Sequence, residues 1–194
     1  MNNAMNNAKE WYELGLKYLK GDGVARDQTK AAQLFQMAAE RGLAAAQYDL
    51  GYCYFEGIGV VSNGCLGLEW YRKAADGGCV DAQFELAQRY MKGAGVERNP
   101  IESVRWLRRA AEQEYADAQY ILGVCYYNGD GVGRDPVEAV KWIRKAAVQG
   151  HCRAQGVLAS FYMQGVGVEK DPDQGLYWSH RAAETAKVQG GSLY

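Results

Sequence analysis

Five cysteines and two histidines are the residues of this chain best suited to covalent chemistry. A thiol nucleophile needs a base facing it, and His151 stands directly before Cys152. Adjacent residues do not give that mutual geometry, so the pair does not make a catalytic couple. His180 lies near the end of the last helical pattern, and neither histidine has a companion acid at a persuasive spacing. Both read as surface residues. Cys53, Cys65, Cys79, Cys125 and Cys152 are widely spaced and hold no C-x-x-C pair of the kind zinc or redox sites use. They read as small buried thiols of a reducing compartment. A hidden thiol enzyme is the remaining catalytic alternative.

Glycine-rich segments invite two further readings, and both fail. Gly129-Asp130-Gly131-Val132-Gly133 follows a helical pattern rather than a strand, and lacks the lysine-serine/threonine ending of a phosphate loop. A calcium loop started at Asn128 would need oxygen ligands where Val132 and Ala139 stand. No catalytic residue, metal-ligand set or cofactor site emerges.

Charge narrows the partners. The chain of 194 residues carries 22 lysines and arginines against 23 acids, for a net charge of −1. Arg105, Arg108, Arg109, Lys141, Arg144 and Lys145 are answered by Glu102, Glu112 and Glu138, so the domain-scale basic excess of a nucleic-acid binder is missing. Residues 1–7 lack the basic start and apolar core of a secretory signal, and no apolar run approaches the roughly 20 residues of a membrane span. The expectation is a cytoplasmic protein without membrane insertion, or a periplasmic or secreted one if a signal peptide has been removed.

The elements that would position any site come from an internal repeat. Gly21, Gly57, Gly93, Gly129 and Gly165 recur every 36 residues. So do Gly23, Gly59, Gly95, Gly131 and Gly167, and the alanine pairs that begin at Ala38, Ala74, Ala110, Ala146 and Ala182. An unbroken period of this length is the signature of one supersecondary unit stacked in an array. The expected organisation is a single repeat domain, 1–194, with copies at about 8–42, 43–78, 79–114, 115–150 and 151–187 and frayed ends of seven residues each.

In the fourth copy, Ala118, Leu122 and Tyr126 mark one face of a first helix that stops at Gly129. Asp135-Pro136-Val137-Glu138 then reads as a helix start, with Asp135 as cap, Pro136 at the first helical position and Glu138 completing a capping box. Ala139, Trp142, Ile143, Ala146 and Ala147 form the apolar stripe of a second helix that ends at Gly150. The series Trp70, Trp106, Trp142, Trp178 and the series Tyr18, Tyr54, Tyr90, Tyr126, Tyr162 read as core aromatics between layers. Asn63-Gly64-Cys65 is expected to weaken the corresponding helix start in the second copy.

Ala118, Leu122-Gly123, Tyr126, Gly129-Asp130-Gly131-Val132, Asp135, Trp142 and Lys145-Ala146-Ala147 together resemble the Sel-1-like repeat, a relative of the tetratricopeptide repeat. The resemblance covers about 180 residues. It implies an all-α fold, a right-handed α/α superhelical solenoid of five helix-turn-helix repeats with about ten helices. It also implies a non-catalytic scaffold or adaptor that binds another protein or peptide. Toxin immunity and host interaction are the alternative roles such arrays take in bacteria. A monomer or weak homodimer is expected.

Tetratricopeptide relatives line a concave groove with their first helices. Residues projecting away from the core stripe on those helices are therefore the candidate binding set: Tyr12, Tyr48, Tyr52, Phe55, Phe84, Met91, Tyr120 and Tyr127, with Lys92 and Asn128 at the polar margin. Aromatic and methionine side chains on a partly polar surface are what protein-binding patches carry.

Overall fold

The protein is described by a computed structural model, which defines the backbone of residues 2–190 and the side chains of residues 6–188. The chain divides into two compact units, Met1–Glu97 and Arg98–Tyr194. The first holds α1 (Asn2–Lys20), α2 (Gln28–Glu40), α3 (Ala44–Glu56), α4 (Gly64–Asp76) and α5 (Val80–Lys92). The second holds α6 (Pro100–Glu112), α7 (Ala116–Asn128), α8 (Pro136–Val148), α9 (Cys152–Gln164) and α10 (Pro172–Gly190). Among the described residues there is no strand. Odd-numbered helices are the first of each repeat and even-numbered helices the second.

Helix α1 begins at Asn2 and α10 continues to Gly190, since Ala4, Met5 and Ala8 favour helix and no proline interrupts either segment. Met1 and residues 191–194 lie outside the described residues.

The capping signatures fold as read in their first half only. Asp135 accepts hydrogen bonds from the backbone N–H groups of Val137 and Glu138 at 3.0 Å, with Pro136 in the first turn. Glu138 does not reach back to close the box. It pairs forward with Lys141 at 2.8 Å, because the Asp135 N–H already donates to the Tyr126 carbonyl at 2.8 Å. Asn63 also departs from expectation. Its Oδ1 accepts from both Cys65 and Leu66, so α4 starts cleanly at Gly64 despite the missing proline and acid.

Glycine does two different things in the turns. Gly57, Gly93, Gly129 and Gly165 end first helices in the left-handed region. Gly131, at φ +71°, also lies so close to the Pro100 carbonyl that an added Cβ would collide with it. The same holds for Gly167 against Pro136 and, in the first unit, Gly59 against Gln28. Each turn is thereby pressed onto the start of the preceding repeat's second helix.

Buried polar bonds tie the repeats together as well. In the first unit Gln47 and Gln83 donate through Nε2 to the carbonyls of Ala39 and Ala75 at 3.1 and 3.0 Å. In the second, Gln119 and Gln155 do the same to Ala111 and Ala147 at 3.0 and 3.1 Å. Each bond satisfies a carbonyl in the last turn of a second helix.

The aromatic series sit nearer the surface than a core reading implies. Trp106, Trp142 and Trp178 are buried, but Trp70 is only half-buried, and Lys73, Arg109 and Lys145 lie over the rings of Trp70, Trp106 and Trp142. Of the series Tyr18, Tyr54, Tyr90, Tyr126 and Tyr162 only Tyr126 is buried. The phenol needs a polar partner, and Arg72, Arg108 and Arg144 donate to the hydroxyls of Tyr90, Tyr126 and Tyr162. The fully buried centre holds Leu50, Leu86, Leu122, Leu158 and the alanines, with Phe35 and Tyr71 in the first unit and Leu107 and Ile143 at the same register in the second.

Candidate functional site

In the first unit the first helices lie side by side, so their outward residues form one face. Tyr12 on α1 donates to Asp49 Oδ2 on α3 at 2.9 Å, and the Arg89 guanidinium on α5 sits 3.5 Å over the Phe55 ring of α3. The expected binding aromatics divide sharply by exposure. Tyr12 leans on Phe35 at 5.7 Å, and Tyr48 stacks on buried Tyr71 at 5.2 Å. Phe55 meets Tyr71 at 5.1 Å and covers Gly67, where a Cβ would touch its ring at 2.8 Å. Phe84 and Met91 are half-buried. Tyr52 alone of this set is exposed, at 47%. Lys92 is exposed at the margin and donates to Gln88 at 3.3 Å.

Carboxylates surround these rings. Burial and then Glu85, Asp81 and Asp49 push the Tyr48 phenol up to about 12. Asp49 is itself raised, chiefly by burial and further by Asp81, while the Tyr12 hydrogen bond and Lys20 oppose the rise. A carboxyl with a raised folded-state pKa stabilises the fold below its unfolded pKa of about 4 and loses that contribution as pH climbs through the folded value. Asp49→Asn, which keeps an acceptor for Tyr12, should therefore raise the melting temperature at pH 7.5 and change it little at pH 4. Thermal melts followed by circular dichroism at the two pH values check this.

The second unit presents different chemistry at the same register. Where Asp49 and Glu85 stand in the first unit, α7 and α9 carry Ile121 and Val157. Tyr120 stacks on the His151 ring at 4.6 Å, and Tyr127 packs against Phe161 at 5.1 Å. Arg134 lies over the Tyr127 ring and donates through Nε to its carbonyl at 3.0 Å. Asn128 is exposed and bonds Asp130 at 3.2 Å.

His151 is not the lone surface residue that its sequence context suggests. Its Nε2 lies 3.0 Å from Asp117 Oδ1, and its Nδ1 accepts the backbone N–H of Ala154 at 3.1 Å. Asp117 is thirty-four residues away in sequence, one repeat apart in space, which is why no local spacing revealed it. The pair caps α9 rather than activating a nucleophile. The Cys152 thiol points instead to the Ala182 carbonyl at 3.5 Å. His180 is exposed, as expected.

The cysteines also split. Cys53 and Cys125 are buried, and burial pushes both thiols up to about 11. Cys65 is exposed, contrary to the buried reading, because it sits in the first turn of α4 on the solvent side. Under native conditions a thiol-reactive probe should label Cys65 first and Cys53 and Cys125 last. Peptide mapping of a labelling time course reads the order directly. Among the described residues no group of three or more histidine, cysteine or acidic side chains could hold a metal ion. No helix among them is long and apolar enough to cross a membrane.

The Sel1 repeat family model matches residues 7–43, 44–79, 80–115, 116–151 and 153–184. The chain belongs to the Sel1 repeat family. Its all-α helix pairs are those of Sel1 solenoids, and Sel1 repeats are generally protein-interaction scaffolds. A Sel1 repeat protein from Oxalobacter formigenes superposes with a TM-score of 0.87 at 35% identity, over 94% of this chain and 75% of that one. A protective antigen of uropathogenic Escherichia coli with this repeat fold also gives 0.87 at 35% identity, over 92% of this chain and 38% of that one. The immunity protein PA5088 of Pseudomonas aeruginosa shares the fold alone, at 23% identity and a TM-score of 0.55, over 93% of this chain and 65% of that one. No curated protein matches this Sel1 repeat chain.

Proposed function

We propose that this Sel1 repeat protein is a non-catalytic adaptor that captures a protein or peptide segment on its first-helix faces, with Tyr52 as the main contact in the first unit. The observation that carries the reading is the exposure of Tyr52, 47%, on a helix whose neighbouring aromatics all have packing partners. A half-exposed phenol in a partly apolar surround is a typical anchor: large, rigid and able to hydrogen-bond. Tyr12, Tyr48, Phe55, Phe84 and Met91 supply the surround, and Lys92 its margin. In the second unit Tyr127, Tyr120 and Asn128 take the corresponding places. Neither the thiols nor the His151–Asp117 pair offers a reaction centre, which favours binding over catalysis.

The test is affinity capture from the native organism with wild type and with Tyr52→Ala plus Tyr127→Ala as baits of equal helicity. The reading expects a partner held by wild type and lost by the double variant. Undiminished capture by the variant overturns it.

A further inference from the structure

The second unit carries a groove of about 710 Å³ along α8, remote in register from the first-helix candidates. Val137, Lys141, Arg144 and Val148 line it. The spacing i, i+4, i+7, i+11 places them on one stripe roughly 16 Å long at about 1.5 Å rise per residue. Apolar side chains stand at the two ends, 54% and 66% exposed, with cations between them.

Two of the lining residues break the repeat. Val148 occupies the place where every other copy has an acid, Glu40, Asp76, Glu112 and Glu184. Glu114 also lines the groove, beside Glu112, and is the only non-glycine residue with positive φ among those described, at 64°. The equivalent places are Gly42, Gly78 and Gly150. A strained residue and a solvent-exposed valine, both replacing what the repeat itself prefers and both on one groove, point to a binding surface rather than to packing.

We propose that this α8 groove is a second docking surface, for an amphipathic helical segment of another protein with carboxylates between two apolar anchors. Charge complementarity favours that occupant: Lys141, Arg144 and Lys145 outnumber Glu112 and Glu114 in the lining, and both charged members of the stripe between the two valines are cations. Lys141 is held by Glu138 and Arg144 by the Tyr162 hydroxyl, yet each keeps further N–H donors for a carboxylate. A second copy of this chain does not fit as well: α8 paired antiparallel with itself about a two-fold axis through the stripe would set Lys141 against Arg144 of the other copy, cation against cation. The proposal stands independently of the first-helix reading.

The experiment titrates the full chain into a fluorescein-labelled helical peptide with leucines eleven residues apart and glutamates at the intervening i+4 and i+7 places, followed by anisotropy. A matched peptide with lysines for the glutamates is the second probe, and Val148→Glu, which restores the acid of the other repeats, is the variant. The glutamate peptide should bind wild type at least about tenfold more tightly than the lysine peptide does, and Val148→Glu should weaken it by about the same factor. No binding to wild type, equal binding of the two peptides, or an affinity unchanged in Val148→Glu overturns the proposal. Sedimentation that shows a wild-type dimer dissolved by Val148→Glu would overturn it in favour of self-association.

Discussion

Replacing Gly131 by alanine should lower the stability of the second unit by about 3 kcal/mol. Two costs add. An alanine held at the φ of +71° costs about 1–2 kcal/mol, and its Cβ must push the Pro100 carbonyl and the start of α6 away, which for close-packed elements costs about 1–3 kcal/mol more. Because Gly131 packs against the preceding repeat, the damage falls on repeat stacking and not on one helix. For a chain of this size the melting temperature should fall by about 6–12 °C. Gly133→Ala, two residues along in the same turn, is the control: nothing lies within 4 Å of its added Cβ and its φ is not in the left-handed region. Equal melting curves for Gly131→Ala and wild type would contradict the stacking account.

Tyr52→Ala should weaken partner binding by about 30-fold, the 2 kcal/mol characteristic of an anchor residue, while leaving the melting temperature within about 2 °C of wild type. The separation of the two effects follows from where the side chain lies. Tyr52 is half exposed and its removal opens no cavity. Phe55→Ala provides the contrast, since that ring fills the space over Gly67 and packs against both Tyr71 and Arg89. Its truncation should lower stability by about 3 kcal/mol and disturb binding only through the damaged face. Isothermal titration with the captured partner, run beside thermal melts, separates these outcomes.

Much of this molecule was legible because its period is exact and each place in the period has a simple physical reason. Asp135 and Pro136 start a helix wherever they occur, and Gly129 stops one. The stripe Ala139, Trp142, Ile143, Ala146 and Ala147 is buried throughout. What sequence alone missed is what joins one repeat to the next. The contact of Gly131 with Pro100, the Gln119 bond to Ala111 and the Asp117–His151 pair all link residues separated by a turn or a whole repeat. The recurring glutamine after each alanine was available as a signal, since a polar residue fixed on an apolar face implies a buried partner. The first-helix faces were harder to read. Tyr48, Phe55 and Tyr127 project away from the core stripe of their own helices, yet the next helices supply Tyr71, Arg89 and Phe161 to cover them. Helical periodicity locates a face, but only the neighbouring element decides whether that face is open. Tyr52 remains open, at 47% exposure.

Hydroxyl-radical footprinting of the free protein and of its complex with the captured partner reads the Tyr52 face directly. Tyr52 and Tyr177 make an internal pair, 47% and 51% exposed, the first on α3 and the second on α10. Capture on the first-helix face predicts that complex formation protects Tyr52 from oxidation and leaves Tyr177 unchanged. Oxidation of Tyr52 at the same rate in the free and bound states would contradict it.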